Sequence, residues 1–265
     1  MDPASATAAL FVVNIDGMGL RRLTLWKMVA GNPDWAPDGS VIGFNDKNEG
    51  PPTQNDIYVI EPDGTGLRNV THGLEAASFM PTWSPDGGLI LFASWPMAGS
   101  FDLYTIEPDG GSLTRIAEIT EAATPTKFED TGPQWSPDGT HLVFQRWNKA
   151  TGQFAVFTIR LDGTHPRRLT PWRLNAGDHP DWSPDGRWIM FHSQQDQDRQ
   201  DNVFLVHPNG TGMHRITNTF GGKYRWFSSS FSSDGTMIAV ARAPGIGNPG
   251  NADVYVIKVD GTGPS

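Results

Sequence analysis

Trp83-Ser84-Pro85-Asp86-Gly87 recurs letter for letter at Trp135 to Gly139 and at Trp182 to Gly186. Trp35-Ala36-Pro37-Asp38-Gly39 differs at one position, and Phe231-Ser232-Ser233-Asp234-Gly235 is a worn copy. The first residues of the five copies are 48, 52, 47 and 49 residues apart. A period of about 50 residues is the mark of a repeat architecture.

Alignment on the first aromatic residue of each copy shows what repeats. Seven residues on stand Ile42, Ile90, Leu142, Ile189 and Ile238, and nine on stand Phe44, Phe92, Phe144, Phe191 and Val240. Apolar residues two apart share one face of a strand, so each copy reads as strand, tight turn, strand. Proline presets the first central position of a type I turn, Asp accepts local backbone hydrogen bonds, and Gly takes the left-handed residue that follows.

A second alignment, on Asp16, Asp63, Asp109, Asp162, Asn209 and Asp260, each followed by Gly, finds an aromatic ring five residues earlier in every copy: Phe11, Tyr58, Tyr104, Phe157, Phe204 and Tyr255. Seven residues after the first five stand Leu23, Val70, Ile116, Leu169 and Ile216, and four of these precede Thr. This is a second hairpin. One period is therefore four short antiparallel strands, A to D from the inside outward. Four-stranded sheets repeated without helical periodicity read as propeller blades.

The pattern resembles the TolB-like propeller family, with WD-repeat-like blades marked by the WSPDG turn, from about Leu10 to Gly263. The resemblance implies an all-β propeller of five to six blades, its ring closed or nearly closed by N- and C-terminal strands. It also implies a periplasmic or exported setting. It says less about function, because one fold hosts many sites.

Bulk properties narrow the classes. The 265 residues and unbroken repeat predict one domain over 1–265, or a fragment of a longer chain. A net charge of −9 without a basic tract argues against nucleic acid. No apolar run approaches a bilayer span, which argues against membrane insertion, and with no cysteine there is neither a disulfide nor a thiolate metal site. Met1 to Ala8 lacks the regions of a secretory signal. The chain is expected to be monomeric.

Residues 9–24 hold only strands C and D, and the C-terminal blade holds A, B and C. Either five blades close, with Leu20–Thr24 serving as the last strand D beside Asp253–Val259, or a sixth blade lacks its inner strands. Full closure removes exposed sheet edges.

The short turns join A to B and C to D on one face. The B–C and D–A loops on the other face vary, and variable loops on a regular scaffold are where recognition sits. Trp26, Trp95, Trp147, Trp172 and Trp226 all fall on that face. Rigid aromatics anchor protein partners and stack on sugars. Trp26 shares a repeat position with Trp172, and Trp95 with Trp147, which also fits shared packing; Trp226 is least explained by the repeat. Trp35, Trp83, Trp135 and Trp182 belong to the repeat and are expected to pack between blades.

Two polar columns open strand A: Asn32, Met80, Gly132, His179 and Ser228, then Asp34, Thr82, Gln134, Asp181 and Ser230. Strand alternation predicts that both columns point the same way. Asn32, Asp34, Gln134, His179 and Asp181, with Asp178 nearby, are candidates for a polar binding ring at the channel mouth. A single His is too few for a transition-metal site, and the Asp-Gly turns are too poor in oxygen ligands for calcium. No cofactor is expected. The seven His are scattered and no GxSxG elbow exists, so no catalytic residue is assigned.

The sequence thus points to a non-catalytic scaffold binding a protein or peptide on the B–C and D–A face. The alternative is a channel-site hydrolase or lyase acting on a carbohydrate or other small polar substrate, with a metal at His179.

Overall fold

The computed structural model describes residues 8–14, 16–26, 28–46, 55–96, 101–116, 127–193, 202–217, 224–244 and 253–260. Residues 47–54, 97–100, 117–126, 194–201, 218–223 and 245–252, where the sequence places parts of the B–C and D–A connections, lie outside them. The chain divides into two compact units, residues 1–116 and 117–265.

The first unit begins with a two-stranded ribbon, β1 (Phe11–Val12) and β2 (Arg21–Arg22). Blade 1 follows as β3 (Ala30–Trp35), β4 (Ile42–Asp46), β5 (Asp56–Ile60) and β6 (Arg68–Asn69). Blade 2 is β7 (Ala76–Trp83), β8 (Ile90–Pro96), β9 (Asp102–Ile106) and β10 (Thr114–Arg115).

The second unit holds blade 3, with β11 (Phe128–Trp135), β12 (His141–Asn148), β13 (Gln153–Arg160) and β14 (Arg167–Arg168). Blade 4 comprises β15 (Ala176–Trp182), β16 (Ile189–Ser193), β17 (Asn202–Val206) and β18 (His214–Arg215). Blade 5 is β19 (Tyr224–Phe231), β20 (Met237–Pro244) and β21 (Asp253–Lys258). Every sheet pairs antiparallel in chain order, as the two hairpins per period predict. Among the described residues no helix is long and apolar enough to cross a membrane.

The turns close on themselves. In Ser84-Pro85-Asp86-Gly87 the Ser84 hydroxyl donates to Asp86 Oδ1 at 2.6 Å and accepts the Leu89 N–H at 2.9 Å, while Gly87 takes φ +72°. In the other hairpin Asp63 Oδ1 accepts from Thr65 N and Oγ1 at 2.8 and 2.6 Å. The turn carboxylates are thus engaged within their own turns. The Thr that ends strand D has a matching task. Thr24, Thr71, Thr170 and Thr217 each accept, at 2.9 Å, the N–H of an apolar residue in strand C or its ribbon counterpart: Leu10, Ile57, Val156 and Val203.

Core residues occupy the predicted columns. Phe44, Phe92, Phe144 and Phe191 are fully buried. In the second unit Val143, Val156 and Leu169 of blade 3 pack with Trp182, Ile189 and Phe191 of blade 4.

Two expectations need correction. Of the two closures the sequence allows, Leu20–Thr24 as the last strand D is corrected: β2 pairs with β1, Phe11 facing Arg22 and Val12 facing Arg21, which fits the alternative of strands C and D of a further blade. Closing this local loop around Asp16-Gly17 costs far less chain entropy than pairing residues near opposite ends. Trp35 is the second. It is 46% exposed, against 6%, 7% and 8% for Trp83, Trp135 and Trp182. Trp83 packs toward the preceding blade, its indole facing Gly43 of β4. Among the described residues, the ribbon that precedes Trp35 carries two strands where a blade carries four.

Candidate functional site

Each inner strand carries a β-bulge in the same place. Register slips between Gly31 and Asp34, Phe79 and Thr82, Thr131 and Gln134, Gly177 and Asp181, and Phe227 and Ser229. The residue at each slip is left-handed: Asn32 (φ 47°), Met80 (54°), Gly132 (58°), His179 (55°) and Ser228 (47°). Simple alternation across the two polar columns therefore fails, because the bulge re-aims the chain between them. The signal was present in the sequence: Pro33, Pro81, Pro133 and Pro180 follow the bulged residue in four copies, and proline inside a strand pattern marks a bulge or an edge.

In the first unit these residues tie blade 1 to blade 2. Asn32 Nδ2 donates to Asn45 Oδ1 at 2.9 Å, and the same oxygen accepts the Met80 N–H at 3.4 Å. Asp34 Oδ2 accepts the Trp83 N–H at 2.8 Å. Burial raises the Asp34 pKa above the usual carboxylate value, and donors from Trp83, Thr82 and Trp35 partly offset it. Asp34 is thus a packing tie as well as a polar residue on the inner strand.

In the second unit Gly132 lies against His179 and Pro180, the distance from an added Cβ to the His179 nitrogen being 3.7 Å. His179, Asp181 and Gln134 are all half-buried. The Asp178 side chain lies outside the described set. Among the described residues no three His, Asp or Glu converge as metal ligands.

The five loop-face tryptophans divide. Trp147 stacks on Phe154 with ring centroids 6.1 Å apart, and Trp172 stacks on Phe128 at 6.0 Å beneath Arg168. Trp226 meets Tyr255 edge-on at 5.8 Å, its indole N–H buried. These three are half-buried and contribute packing. Trp226, read as least explained by the repeat, is held by its own blade's Tyr255 and Arg242. Trp26, 50% exposed, stands edge-on to Phe11 at 5.7 Å.

Trp95 is different. It is 42% exposed and stacks on Phe101 at 5.6 Å, and Phe101 lies 5.7 Å from Phe79. The three rings gather at the B–C end of blade 2. Phe79 and Phe101 were not singled out in the sequence, because one lies in an inner strand and the other beside a loop, with no shared period to join them.

Glu129 and Asp130 belong to β11. Asp130 receives Arg146 through two bonds of 2.7 Å, and the guanidinium lies among Phe128, Phe144 and Phe157. Lys149 reaches Glu129 at 2.6 Å.

Comparison with known proteins agrees with this geometry. Residues 120–263 match the sequence model of the TolB β-propeller domain. An uncharacterized protein of Agrobacterium fabrum is 28% identical over 135 residues, which are 51% of this chain and 41% of that protein's length. The chain thus spans about two fifths of that curated relative. The solved structure of a TolB-type protein from Agrobacterium tumefaciens superposes with a TM-score of 0.78 at 22% identity, covering 97% of this chain and 86% of the other. An oligogalacturonate lyase in complex with manganese gives 0.68 at 16% identity, covering 96% and 70%. The fold class is an all-β propeller of five antiparallel blades. With its repeated turns, its blade topology and more than half its length matched, the chain belongs to the TolB β-propeller domain family.

Proposed function

We propose that the protein is a non-catalytic scaffold that recognises a protein or peptide partner on blade ends bearing the B–C and D–A loops. The observation that carries this reading is the ring cluster of Trp95, Phe101 and Phe79, with Trp95 42% exposed at a loop end. Large aromatics held rigid by stacking lose little side-chain entropy on binding and dominate interface energetics. Within each unit, inner-strand polar residues are further candidates for contact with a partner: Asn32 and Asp34 in the first, and Gln134, His179 and Asp181 in the second. The TolB likeness supports an extracytoplasmic setting, and a single copy of the chain suffices for the surface.

The test is capture from native extract on the immobilised chain. Trp95→Ala should lose the captured partner while costing no more than ~1 kcal/mol of stability, as for other exposed sites. Equal capture by both forms overturns the reading, and so does turnover of an oligogalacturonate by the purified chain.

A further inference from the structure

A second surface lies at the opposite end of blades 3 and 4, where the short turns emerge. In blade 3 His141 faces Arg160, and Thr158 faces both Val143 and Arg167. Residues two apart along a strand share a face, so His141, Arg160, Thr158 and Arg167 stand together. They continue outward from the buried Val143, Val156 and Leu169 that pack on blade 4. Across from them lie Trp182, Pro184 and Asp185 of one blade 4 turn and Pro208 and Asn209 of the other. With Pro137 and His165 they enclose a cleft of about 760 Å³, large enough for a small organic ligand. Arg167 Nη1 donates to the Asn209 carbonyl at 3.0 Å and bridges its two walls.

The repeat provides an internal control. The position of His141 is Val41, Leu89, Trp188 and Met237 in the other blades. That of Arg160 is Glu61, Glu107, His207 and Lys258 in the other blades, so the charge is reversed in blades 1 and 2 and kept in blade 5. That of His165 is Gly66, Ser112 and Gly212 in blades 1, 2 and 4, and all share its left-handed backbone, at φ 66°, 51° and 68° beside 57°. The repeat sets the backbone there, and the imidazole is this blade's own addition. Blade architecture demands none of these three residues. All three line one cleft.

The acids around the cleft are already engaged. Asp138 Oδ1 accepts from Ser136 Oγ and Thr140 Oγ1 at 2.6 and 2.8 Å, and Asp185 Oδ1 accepts from Ser183 Oγ at 2.6 Å. Because Thr140 donates to Asp138, its oxygen is left to accept His141 Nδ1–H at 2.7 Å. Asp162, Thr164 and His165 repeat the arrangement at 2.6 and 2.9 Å. In both imidazoles Nδ1–H is used locally, so Nε2–H faces a ligand as a donor in the imidazolium form.

We infer that this cleft binds an oxyanion, a phosphate or carboxylate group, between Arg160 and Arg167, with His141 and His165 at its rim and the prolines and Trp182 beneath. Guanidinium forks and imidazoles are the side chains suited to such groups. The carrier is either a small phosphate-bearing molecule or an acidic peptide.

Backbone amide NMR of the full chain, titrated separately with inorganic phosphate and with tetraglutamate, tests the assignment. Saturable shifts confined to the 136–141, 158–167 and 183–186 segments are expected with at least one probe. Stronger binding of phosphate identifies the small-molecule source, and stronger binding of tetraglutamate the peptide. Arg160→Glu installs the residue that blades 1 and 2 carry, so it should fold normally and weaken binding at least about tenfold. Arg173→Gln, removal of an exposed charge that does not line the cleft, should leave binding unchanged. No saturable shift with either probe, or equal affinity in Arg160→Glu, overturns the proposal.

Discussion

Asp34 is a half-buried carboxylate whose burial raises its pKa and whose Oδ2 holds the Trp83 N–H at 2.8 Å. Asn at this position keeps the acceptor and removes the buried charge, whereas Ala leaves the Trp83 N–H without that partner. Asp34→Ala should therefore cost ~1–3 kcal/mol, and Asp34→Asn much less. A raised folded pKa means that the protonated form favours the fold. Relative to wild type, Asp34→Asn should thus gain stability as pH rises through the carboxylate range, which denaturant midpoints at several pH values will show. The turn aspartates carry the opposite sign. Donation by Ser136 and Ser232 lowers Asp138 and Asp234 to about 2. Their contribution is present above the unfolded value of about 3.9 and is lost as pH falls toward 2. Ser136→Ala should flatten that acid slope, and an unchanged slope would remove Asp138 from the account. The polarity of both sets is legible in the sequence. Their partners differ in that respect: Asp138 is held from two residues away, but Asp34 reaches a residue in the next repeat, which no local pattern names.

The bulged inner strand is the element that sequence alternation misread. Its cause is local, a left-handed residue that precedes proline in four of five copies. Met80 holds φ 54° where only glycine is unstrained. Met80→Val, with a branched carbon at that angle, should cost ~1–3 kcal/mol, and Met80→Gly should match or exceed wild type in a thermal melt. Loss of stability in both variants would mean that the Met80 side chain, not its backbone, decides. Strand D shows the converse case. Its Thr was visible as a repeated letter following the apolar residue. Its use, accepting a strand C N–H, depends on a pairing that only the folded sheet displays.

For the molecule as a whole, the repeat made the number and order of strands readable, because each blade restates the same columns. What the repeat cannot state is how a side chain packs where it is interrupted. Trp182 is buried against Val143 and Val156, while Trp35 at the same position is 46% exposed beside an incomplete ribbon. Trp182→Ala should cost ~3–5 kcal/mol through lost contacts and a cavity, and Trp35→Ala under ~1 kcal/mol. Similar losses at both would remove the distinction. The candidate surfaces were legible only as residue types: stacking gathers Trp95 with Phe101 and Phe79, and strand register gathers His141 with Arg160. The same turns have a consequence for the age of the molecule. Aspartyl-glycyl bonds are among the peptide links prone to cyclise to succinimide and reopen as isoaspartate, a reaction in which the glycine nitrogen attacks the neighbouring carboxyl carbon. Here that carboxyl is ionised and hydrogen-bonded two residues onward, and the glycine backbone is fixed, as at Gly139 with φ +70°. Isoaspartate at Asp138 or Asp86 would therefore record time spent unfolded, making the repeated turn a covalent clock for loss of structure.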